Sequence, residues 1–191
     1  LHIGHLRTAI IGEAIKRLLR YLGYEVIGDI HTGDWGLQMG MIISEVQRTQ
    51  PDLPYFDPDF TGQYPAEAPF TLDDLSEVYP RISAMIKEKD ENGNSTAKAI
   101  EMETAAKEAT YALQNGHPGY RALWRHIVRL STADLKANYQ RLLVDFDLWY
   151  GESDSHSSMP IVLDILKQKN ALIESDGAII ADVSRPDDKK E

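Results

Sequence analysis

Cysteine is absent from this chain of 191 residues, so the protein has no disulfide framework and no thiolate ligand for zinc. No apolar run approaches the roughly 20 residues that a membrane-spanning helix needs. The first residues do not show the pattern of a secretory signal. These absences argue against disulfide-stapled secreted proteins, zinc-thiolate proteins and helical membrane proteins, and we expect a cytoplasmic protein with no membrane partner.

Basic residues are outnumbered, and their distribution is uneven. The formal net charge is −10. Residues 51–105 hold four basic and twelve acidic residues, a net charge of −8, whereas residues 106–150 hold six and four, a net charge of +2. Because an acidic stretch repels nucleic-acid phosphate, any contact with RNA must be local or lie on parts of the protein outside this chain.

Apolar spacing and capping residues predict six helices. The first helix ends at Gly23, which we place in the C′ position. Thr71 is predicted to cap the third helix with an acid at position N3. The predicted helices cover residues 5–22, 37–48, 72–89, 95–115, 120–143 and 158–170.

Four predicted strands complete the pattern. Residues 24–30 and 144–150 are predicted strands, and the first of them is expected to be parallel to its neighbour inside a sheet. Residues 172–174 and 178–183 flank Ser175-Asp176-Gly177, which is typical of a β-hairpin. Loops are predicted over residues 31–36, 51–70, 117–119 and 151–154, and the proline-rich 51–70 segment marks a plausible boundary.

Two histidines stand at the mouth of the first predicted helix, in the sequence His2-Ile3-Gly4-His5. Positions i and i+3 share one face of a helix, so both imidazoles can reach one ligand. A helix N-terminus attracts phosphate, and Gly4 lets a base or ribose approach the backbone. The spacing predicts a nucleotide phosphate site, but by itself it fits two incidental surface histidines equally well.

A loop with two glycines around an acid and an indole follows the first predicted strand: Gly33-Asp34-Trp35-Gly36. Ligands of open α/β sheets bind beyond the C-terminal ends of the strands, so the loop is predicted to form one wall of an active site. Asp34 either holds a positively charged group or fixes the loop through an Asx turn. Trp35 is predicted to be a core residue. Gln38 either faces the ligand or is an exposed polar residue.

These motifs resemble those of a known family. His2-Ile3-Gly4-His5 resembles the HIGH motif of class I aminoacyl-tRNA synthetases, and Gly33–Gly36 followed by Leu37-Gln38-Met39-Gly40 narrows the resemblance to the arginyl branch. Further matches are Phe146-Asp147, Gly151-Glu152-Ser153 and Asp176-Gly177-Ala178. The resemblance covers essentially the whole chain.

The resemblance implies an α/β fold: a Rossmann-type nucleotide-binding half-domain with a mainly helical connective insertion. Residues 1–50 would form the first part of the Rossmann-type catalytic domain, and residues 51–143 the insertion. Residues 144–191 would return to the catalytic domain as a strand, a helix and a β-hairpin. The strand before the HIGH motif, the KMSKS-type loop and the anticodon-binding domain are not found in this sequence, so we expect the fragment alone to be inactive.

The implied activity is arginine–tRNA ligation, in which ATP, arginine and tRNA give arginyl-tRNA, AMP and pyrophosphate. The cofactor is ATP, accompanied by Mg²⁺ without a dedicated protein site, and the partners are arginine and tRNA(Arg) in a monomeric full-length parent. His2 and His5 would be catalytic. The implied nucleotide-binding residues are His2, Gly4, His5, Gly33, Asp34, Gly36 and Gln38.

Two other functions remain open from the sequence. A small nucleotidyltransferase with an H-x-G-H motif would explain the histidines but not the loop at Gly33–Gly36. A non-catalytic module that binds tRNA or another protein would use the helical segment as its surface. Three further groups of residues have two interpretations each. Arg121, Arg125 and Arg129 either contact the tRNA acceptor end or form a solvated helix face. His31 is either a ligand or a structural residue, and Asp145 and Asp147 are candidates for shaping the pocket.

Overall fold

A computed structural model describes residues 3–175, 178–181 and 183. The chain divides into two compact units, residues 1–152 and residues 153–191. The first unit contains α1 (Ile3–Tyr21), β1 (Asp29–Thr32), α2 (Leu37–Thr49), α3 (Leu72–Ile86), α4 (Ala97–Gln114), α5 (Pro118–Arg141) and β2 (Leu148–Gly151). The chain continues with α6 (Glu152–Ser155), which begins at the last residue of the first unit, and then with a 3₁₀ turn (His156–Ser158), α7 (Met159–Gln168), β3 (Leu172–Ser175) and β4 (Ala178–Ala181).

The sheet of the first unit is a parallel pair. β1 and β2 run in register from Asp29 beside Leu148 to Thr32 beside Gly151. Four helices separate the two strands along the chain, as a parallel connection requires. The C-terminal ends of both strands therefore meet at one edge, and the predictions of an α/β class and of a parallel first strand are confirmed.

Both strands begin later than their apolar residues predict. Residues 24–28 and 144–147 are not strand, and side chains bind part of their backbone. The Arg20 guanidinium donates to the Val26 carbonyl at 2.6 Å, and the Asp147 carboxylate accepts from the Gly28 N–H at 2.6 Å. Conversely, residues 31 and 32, predicted as loop, are the last residues of β1.

Helix ends follow local signals closely. Gly23 has φ +87° beyond α1, and the Tyr24 N–H donates to the Leu19 carbonyl, which confirms the predicted C′ glycine. Thr71 and Asp74 form a reciprocal capping box at the start of α3, as predicted. That helix ends at Ile86, three residues before the predicted end.

Two predicted loops are wrong because their residues belong to helices. The His117 side chain accepts from the Tyr120 N–H and caps α5, so Pro118 and Gly119 lie in the first turn of that helix rather than in a turn before it. Proline suits this position because the first N–H groups of a helix have no intrahelical partner. Residues 152–154, predicted as part of the polar loop 151–154, belong to the single turn α6 (Glu152–Ser155).

The core of the first unit is helical. α2, α4 and α5 pack with the 51–70 segment, which has no helix or strand, as predicted. Tyr55 from that segment is nonetheless one of the most buried side chains. Gly40 of α2 lies against α4 so closely that a Cβ would overlap the Ala106 carbonyl and the Thr110 hydroxyl. Further fully buried members of the core are Ile43, Leu113, Leu123 and Ile127.

The first helix contributes little to this core. Ile11, Ile15 and Leu18 are 53%, 52% and 57% exposed, and Lys16 is the buried residue of the helix. The apolar repeat therefore predicted the helix correctly, but the apolar side chains of α1 do not pack against a core within the described residues.

The second unit holds α7 and a hairpin. Ser158 precedes α7, and Pro160 lies in the first turn, as predicted. β3 and β4 pair antiparallel from Leu172 beside Ala181 to Ser175 beside Ala178, which confirms the hairpin. Its predicted turn at Asp176-Gly177 lies outside the described residues. In the described part of the chain, no helix has the length and apolarity to cross a membrane.

Candidate functional site

The loop after β1 is held in place by its own backbone. The Asp34 N–H donates to the Thr32 carbonyl at 3.0 Å, and the Asp34 carbonyl accepts from the Trp124 indole N–H at 2.7 Å. The Asp34 side chain is buried and packs against Gly151, where a Cβ would overlap the carboxylate. The end of β2 thus needs glycine so that Asp34 can occupy this edge of the sheet.

Trp35 is a core residue, as predicted. It is 5% exposed and meets Trp124 edge to face, with ring centroids 5.1 Å apart. The Arg121 guanidinium lies 4.5 Å from the centroid of the Trp35 ring, and Gln114 donates to the Trp35 carbonyl at 2.9 Å. These contacts join the loop to α4 and α5.

A cavity of about 300 Å³ opens beside this loop. It is bounded by His5 of α1, by the end of β1 with Asp34, and by one face of α5. The structure therefore brings His5, Gly33 and Asp34, three of the predicted site residues, to one cavity. Its remaining lining is mainly apolar: Ile30, His31, Thr32, Met39, Ile127, Val128, Ser131, Thr132, Leu135 and Tyr139.

The contribution of α5 to this cavity has no counterpart in the sequence prediction. Ser131, Thr132 and Tyr139 are neither in a motif nor near one along the chain. They reach the site because α5 crosses the end of β1, and no local signal could have identified them.

Next to Gly33 lie two further predicted residues, Gly36 at the end of the loop and Gln38 in α2. A Cβ at Gly33 would stand 3.6 Å from the Gln38 amide oxygen and 3.9 Å from a Glu152 carboxylate oxygen, and a Cβ at Gly36 would stand 4.0 Å from the same carboxylate. Gln38 is exposed in the first turn of α2. Glu152, which follows β2 directly, is a residue that sequence reasoning matched to a motif but did not propose for the site.

The HIGH motif is only partly described. Gly4 and His5 lie in the first turn of α1, where His5 is exposed and the Thr8 hydroxyl donates to both of their carbonyls, at 3.1 and 3.0 Å. His2 lies outside the described residues. The predicted position of the motif at a helix N-terminus is confirmed for Gly4 and His5.

A partly buried ionic cluster ties α1 to the segment before β2. Glu13 accepts from Lys16 at 2.8 Å, from Arg17 at 2.6 Å and from the Asp145 N–H at 3.2 Å. Lys16 also donates to the Asp145 carbonyl. Burial raises the pKa of Glu13, but the hydrogen bonds of Lys16, Asp145 and Arg17 outweigh it and lower the pKa to about 2.

The remaining sequence candidates have structural partners. His31 is 2.6 Å from the Asp29 carboxylate, although it also lines the cavity. Neither Asp145 nor Asp147 lines the cavity; the Gly28 N–H, followed by Arg20, lowers the pKa of Asp147. Arg121 donates to the Leu113 and Gln114 carbonyls, so the interpretation of a solvated arginine face is wrong for this member.

This arrangement defines a class of protein. A helix N-terminus set at the carboxyl edge of parallel strands is typical of nucleotide-binding α/β domains. The family model described as "tRNA synthetases class I (R), catalytic domain" matches residues 1–189, and the chain belongs to that family. The predicted family and its Rossmann-type α/β fold are thereby confirmed.

Individual relatives narrow the similarity to arginyl enzymes. The chain is 53% identical over 188 residues to an arginine–tRNA ligase of Alkaliphilus oremlandii, covering 98% of this chain and 30% of that protein. It is 47% identical over 191 residues to an arginine–tRNA ligase of Agathobacter rectalis, covering 100% of this chain and 30% of that protein. The chain thus spans about a third of the length of these relatives.

A solved structure of an arginyl-tRNA synthetase has a similar fold. The crystal structure of arginyl-tRNA synthetase from Plasmodium falciparum matches with a TM-score of 0.69 and 26% sequence identity. The match covers 99% of this chain and 28% of that protein. The fold described above is therefore shared along nearly the whole chain.

Proposed function

We propose that the protein carrying this chain is an arginine–tRNA ligase, which uses ATP to join arginine to tRNA(Arg). The observation that carries the proposal is the meeting of His5 and the Asp34 loop at one cavity, at the carboxyl edge of a parallel strand pair. The arginine–tRNA ligases among its relatives support arginine as the amino acid.

The reaction needs no nucleophile from the protein, because the substrate carboxylate attacks; the protein has to position the reactants. The arginine carboxylate attacks the α-phosphate of ATP, pyrophosphate leaves, and a ribose hydroxyl of the tRNA then displaces AMP from the adenylate. The charge that develops on the phosphate oxygens is stabilised by hydrogen-bond donors. We assign that catalytic role to His2 and His5.

The other predicted residues would surround the nucleotide. Gly4, Gly33 and Gly36 permit close backbone approach, and Asp34 and Gln38 supply polar groups. We propose Mg²⁺ as a companion of ATP; because the ATP phosphates offer the oxygen ligands that Mg²⁺ prefers, no dedicated protein site is needed.

Glu152 fits the cationic groups of arginine. Its carboxylate stands beside the Gly33 and Gly36 backbone, at the edge where both strands end. A carboxylate can accept two parallel hydrogen bonds from a guanidinium, or pair with the α-ammonium. We therefore add Glu152 to the proposed arginine site.

The division into segments is also a proposal. Residues 1–50 and 144–191 would belong to the catalytic domain, and residues 51–143 would form its connective insertion. The pairing of β1 with β2 supports this division, since the two strands flank the helical segment and are neighbours in space. We further propose a cytoplasmic monomer, whose mass in gel filtration with light scattering is the test.

The deciding experiment measures arginylation of tRNA, and arginine-dependent ATP–pyrophosphate exchange in the presence of tRNA, with the full-length parent. We expect activity with arginine and none with the 191-residue chain alone. Exchange that ignores arginine and responds to another acid would overturn the proposed function. Nucleotidyl transfer to an acceptor that is not an amino acid would favour the small nucleotidyltransferase instead.

A further inference from the structure

A second opening lies on the helical segment, on another face of α5. This cleft has a volume of about 500 Å³ and is formed by residues 62–66 on one side and α5 on the other. Its charged lining consists of Arg125 and Arg129, and no carboxylate is among the described residues that line it. The chain has 30 acidic residues and the segment 51–105 has a net charge of −8, so a surface with two arginines and no carboxylate differs from its surroundings in charge.

The walls of the cleft are held by a buried network. Tyr64 stacks on the buried Tyr55, with ring centroids 5.5 Å apart and planes 9° apart. His126, which is 7% exposed, lies with Nε2 3.1 Å from both the Tyr55 hydroxyl and the Pro65 carbonyl. The cleft is therefore built on core residues rather than on a free loop.

The same network orients one arginine. A guanidinium only donates and a carbonyl only accepts, so His126 accepts from Arg129 at Nδ1, at 3.1 Å, and donates from Nε2 to the Pro65 carbonyl. Arg129 also donates to the Ala66 carbonyl at 3.2 Å. Its guanidinium is thereby fixed at the cleft by a ring nitrogen and a carbonyl, neither of which is a carboxylate.

The other arginine has its charge unmatched. Arg125 is exposed and makes no hydrogen bond or ion pair with any described residue. It lies one turn before Arg129, and like charges at i and i+4 destabilise a helix. An anion between the two guanidinium groups would remove this repulsion and form charge-assisted hydrogen bonds with both.

We propose that this cleft binds a phosphate group in the acceptor strand of the tRNA, with Arg125 and Arg129 as ligands. The proposal rests on the proposed function, which supplies the RNA. α5 connects the cleft to the cavity at His5: Arg125 precedes Ser131 by six residues, about 9 Å along the helix axis. A phosphate held here lies near the place where the end of the tRNA must react.

The test compares Arg125→Gln, Arg125→Lys and the wild-type parent protein. For Arg125→Gln we expect KM for tRNA to rise about tenfold while KM for ATP and for arginine stays unchanged. Loss of one phosphate contact should also reduce the slope of log K against log salt by about 0.7–0.9. Arg125→Lys should keep most of the salt dependence, because it keeps the charge.

Arg141→Gln is the matched control, since it removes the same charge from an exposed position in the last turn of the same helix. Equal effects of Arg141→Gln and Arg125→Gln would overturn the assignment to the cleft. Unchanged tRNA binding in Arg125→Gln, with wild-type arginylation intact, would overturn this inference alone. A wild type that does not arginylate tRNA would mean that the proposed function had failed.

Phosphate ethylation locates the contact on the RNA. Acceptor-strand phosphates whose ethylation weakens binding to wild type should no longer do so with Arg125→Gln. If the affected phosphates lie elsewhere in the tRNA, the proposed contact is wrong. If KM for tRNA is unchanged and inhibition by inorganic phosphate or pyrophosphate is relieved, the cleft binds a free anion and the proposal is likewise wrong.

Discussion

His5 and Asp34 face the same cavity under different constraints. His5 is exposed in the first turn of α1. Asp34 is buried, and its loop depends on hydrogen bonds to Thr32 and Trp124. Substitution of exposed His5 should therefore disturb the packing less than substitution of buried Asp34, which would affect structure and function together.

His5→Ala in the parent protein should reduce activity far more than stability. Removal of one donor to developing phosphate charge costs about 3–4 kcal/mol, so we expect kcat for arginylation to fall by about 10²–10³-fold. An exposed helical position tolerates alanine, so the free energy of unfolding should change by less than about 0.5 kcal/mol. Kinetic assays and thermal melting provide the two measurements, and equal losses in both would argue against a catalytic role.

Helices in this protein are positioned by a few specific contacts. α1 is held to the segment before β2 by Glu13, Lys16 and Arg17, since little of its apolar surface is buried. α2 and α4 approach through Gly40. Each contact leads to a prediction about the stability of the fold rather than about the reaction.

Glu13 should make stability depend on pH in the acid range. Its pKa falls from 4.5 in the unfolded chain to about 2 in the folded protein, so the folded state favours the ionised carboxylate. This stabilisation is complete above the unfolded pKa and is lost as the pH falls from about 5 to 2. The difference in unfolding free energy between wild type and Glu13→Gln should thus be constant above pH 6 and shrink below pH 5.

Urea unfolding at several pH values measures this difference. Glu152→Gln, which replaces one exposed carboxylate by an amide, is the matched control for the change of charge. A Glu13→Gln difference that grows as the pH falls would contradict the assigned pKa direction.

Gly40→Ala should destabilise the protein strongly. The added methyl group would overlap the Ala106 backbone carbonyl, which cannot rotate away, so α2 and α4 must separate. Overpacking of this kind costs about 1–3 kcal/mol, and occasionally more. Gly33→Ala is the control, because its nearest neighbour would be 3.6 Å away; similar unfolding free energies of the two variants in urea would show that the helices can adjust.

Across the chain, apolar side chains remain uncovered on more than one element. On α1, Ile11, Ile15 and Leu18 are each more than half exposed, and Ile161 and Val162 of α7 are similar. Exposed apolar patches of this kind mark surfaces that other protein segments cover. The chain spans about 30% of the length of its relatives, so the remainder of the parent protein is the expected cover.

The 191-residue chain produced alone should therefore bind a hydrophobic dye such as ANS and self-associate. The double variant Ile11→Lys/Ile15→Lys should reduce both, since it places charges on the exposed face of α1. Tyr111→Lys, at a 71% exposed position of α4, should have a smaller effect. Dye fluorescence and light scattering provide the measurements, and a monomeric chain that binds no dye would contradict this account.

Local signals in the sequence predicted the helices well. Thr71 with Asp74, and Gly23 after α1, are features of the chain within three or four residues, and both lie where predicted. The predicted starts of β1 and β2 were wrong because side chains bind the backbone there: Arg20 binds Val26 from six residues away, and Asp147 binds Gly28 from 119 residues away. The helical turn at Pro118 was missed because the capping group, His117, is unusual.

By itself, the sequence determined the family, the helices and the two motifs, because capping, periodicity and motif spacing depend on near neighbours. The arrangement of the cavity and the cleft was decided by tertiary packing. On α5, Ser131 lines the same cavity as His5. His126 is buried and accepts a hydrogen bond from Arg129, and the Arg121 guanidinium packs on the Trp35 ring. Three arginines with identical spacing thus acquire different roles, because each role depends on what long-range contacts place opposite the side chain.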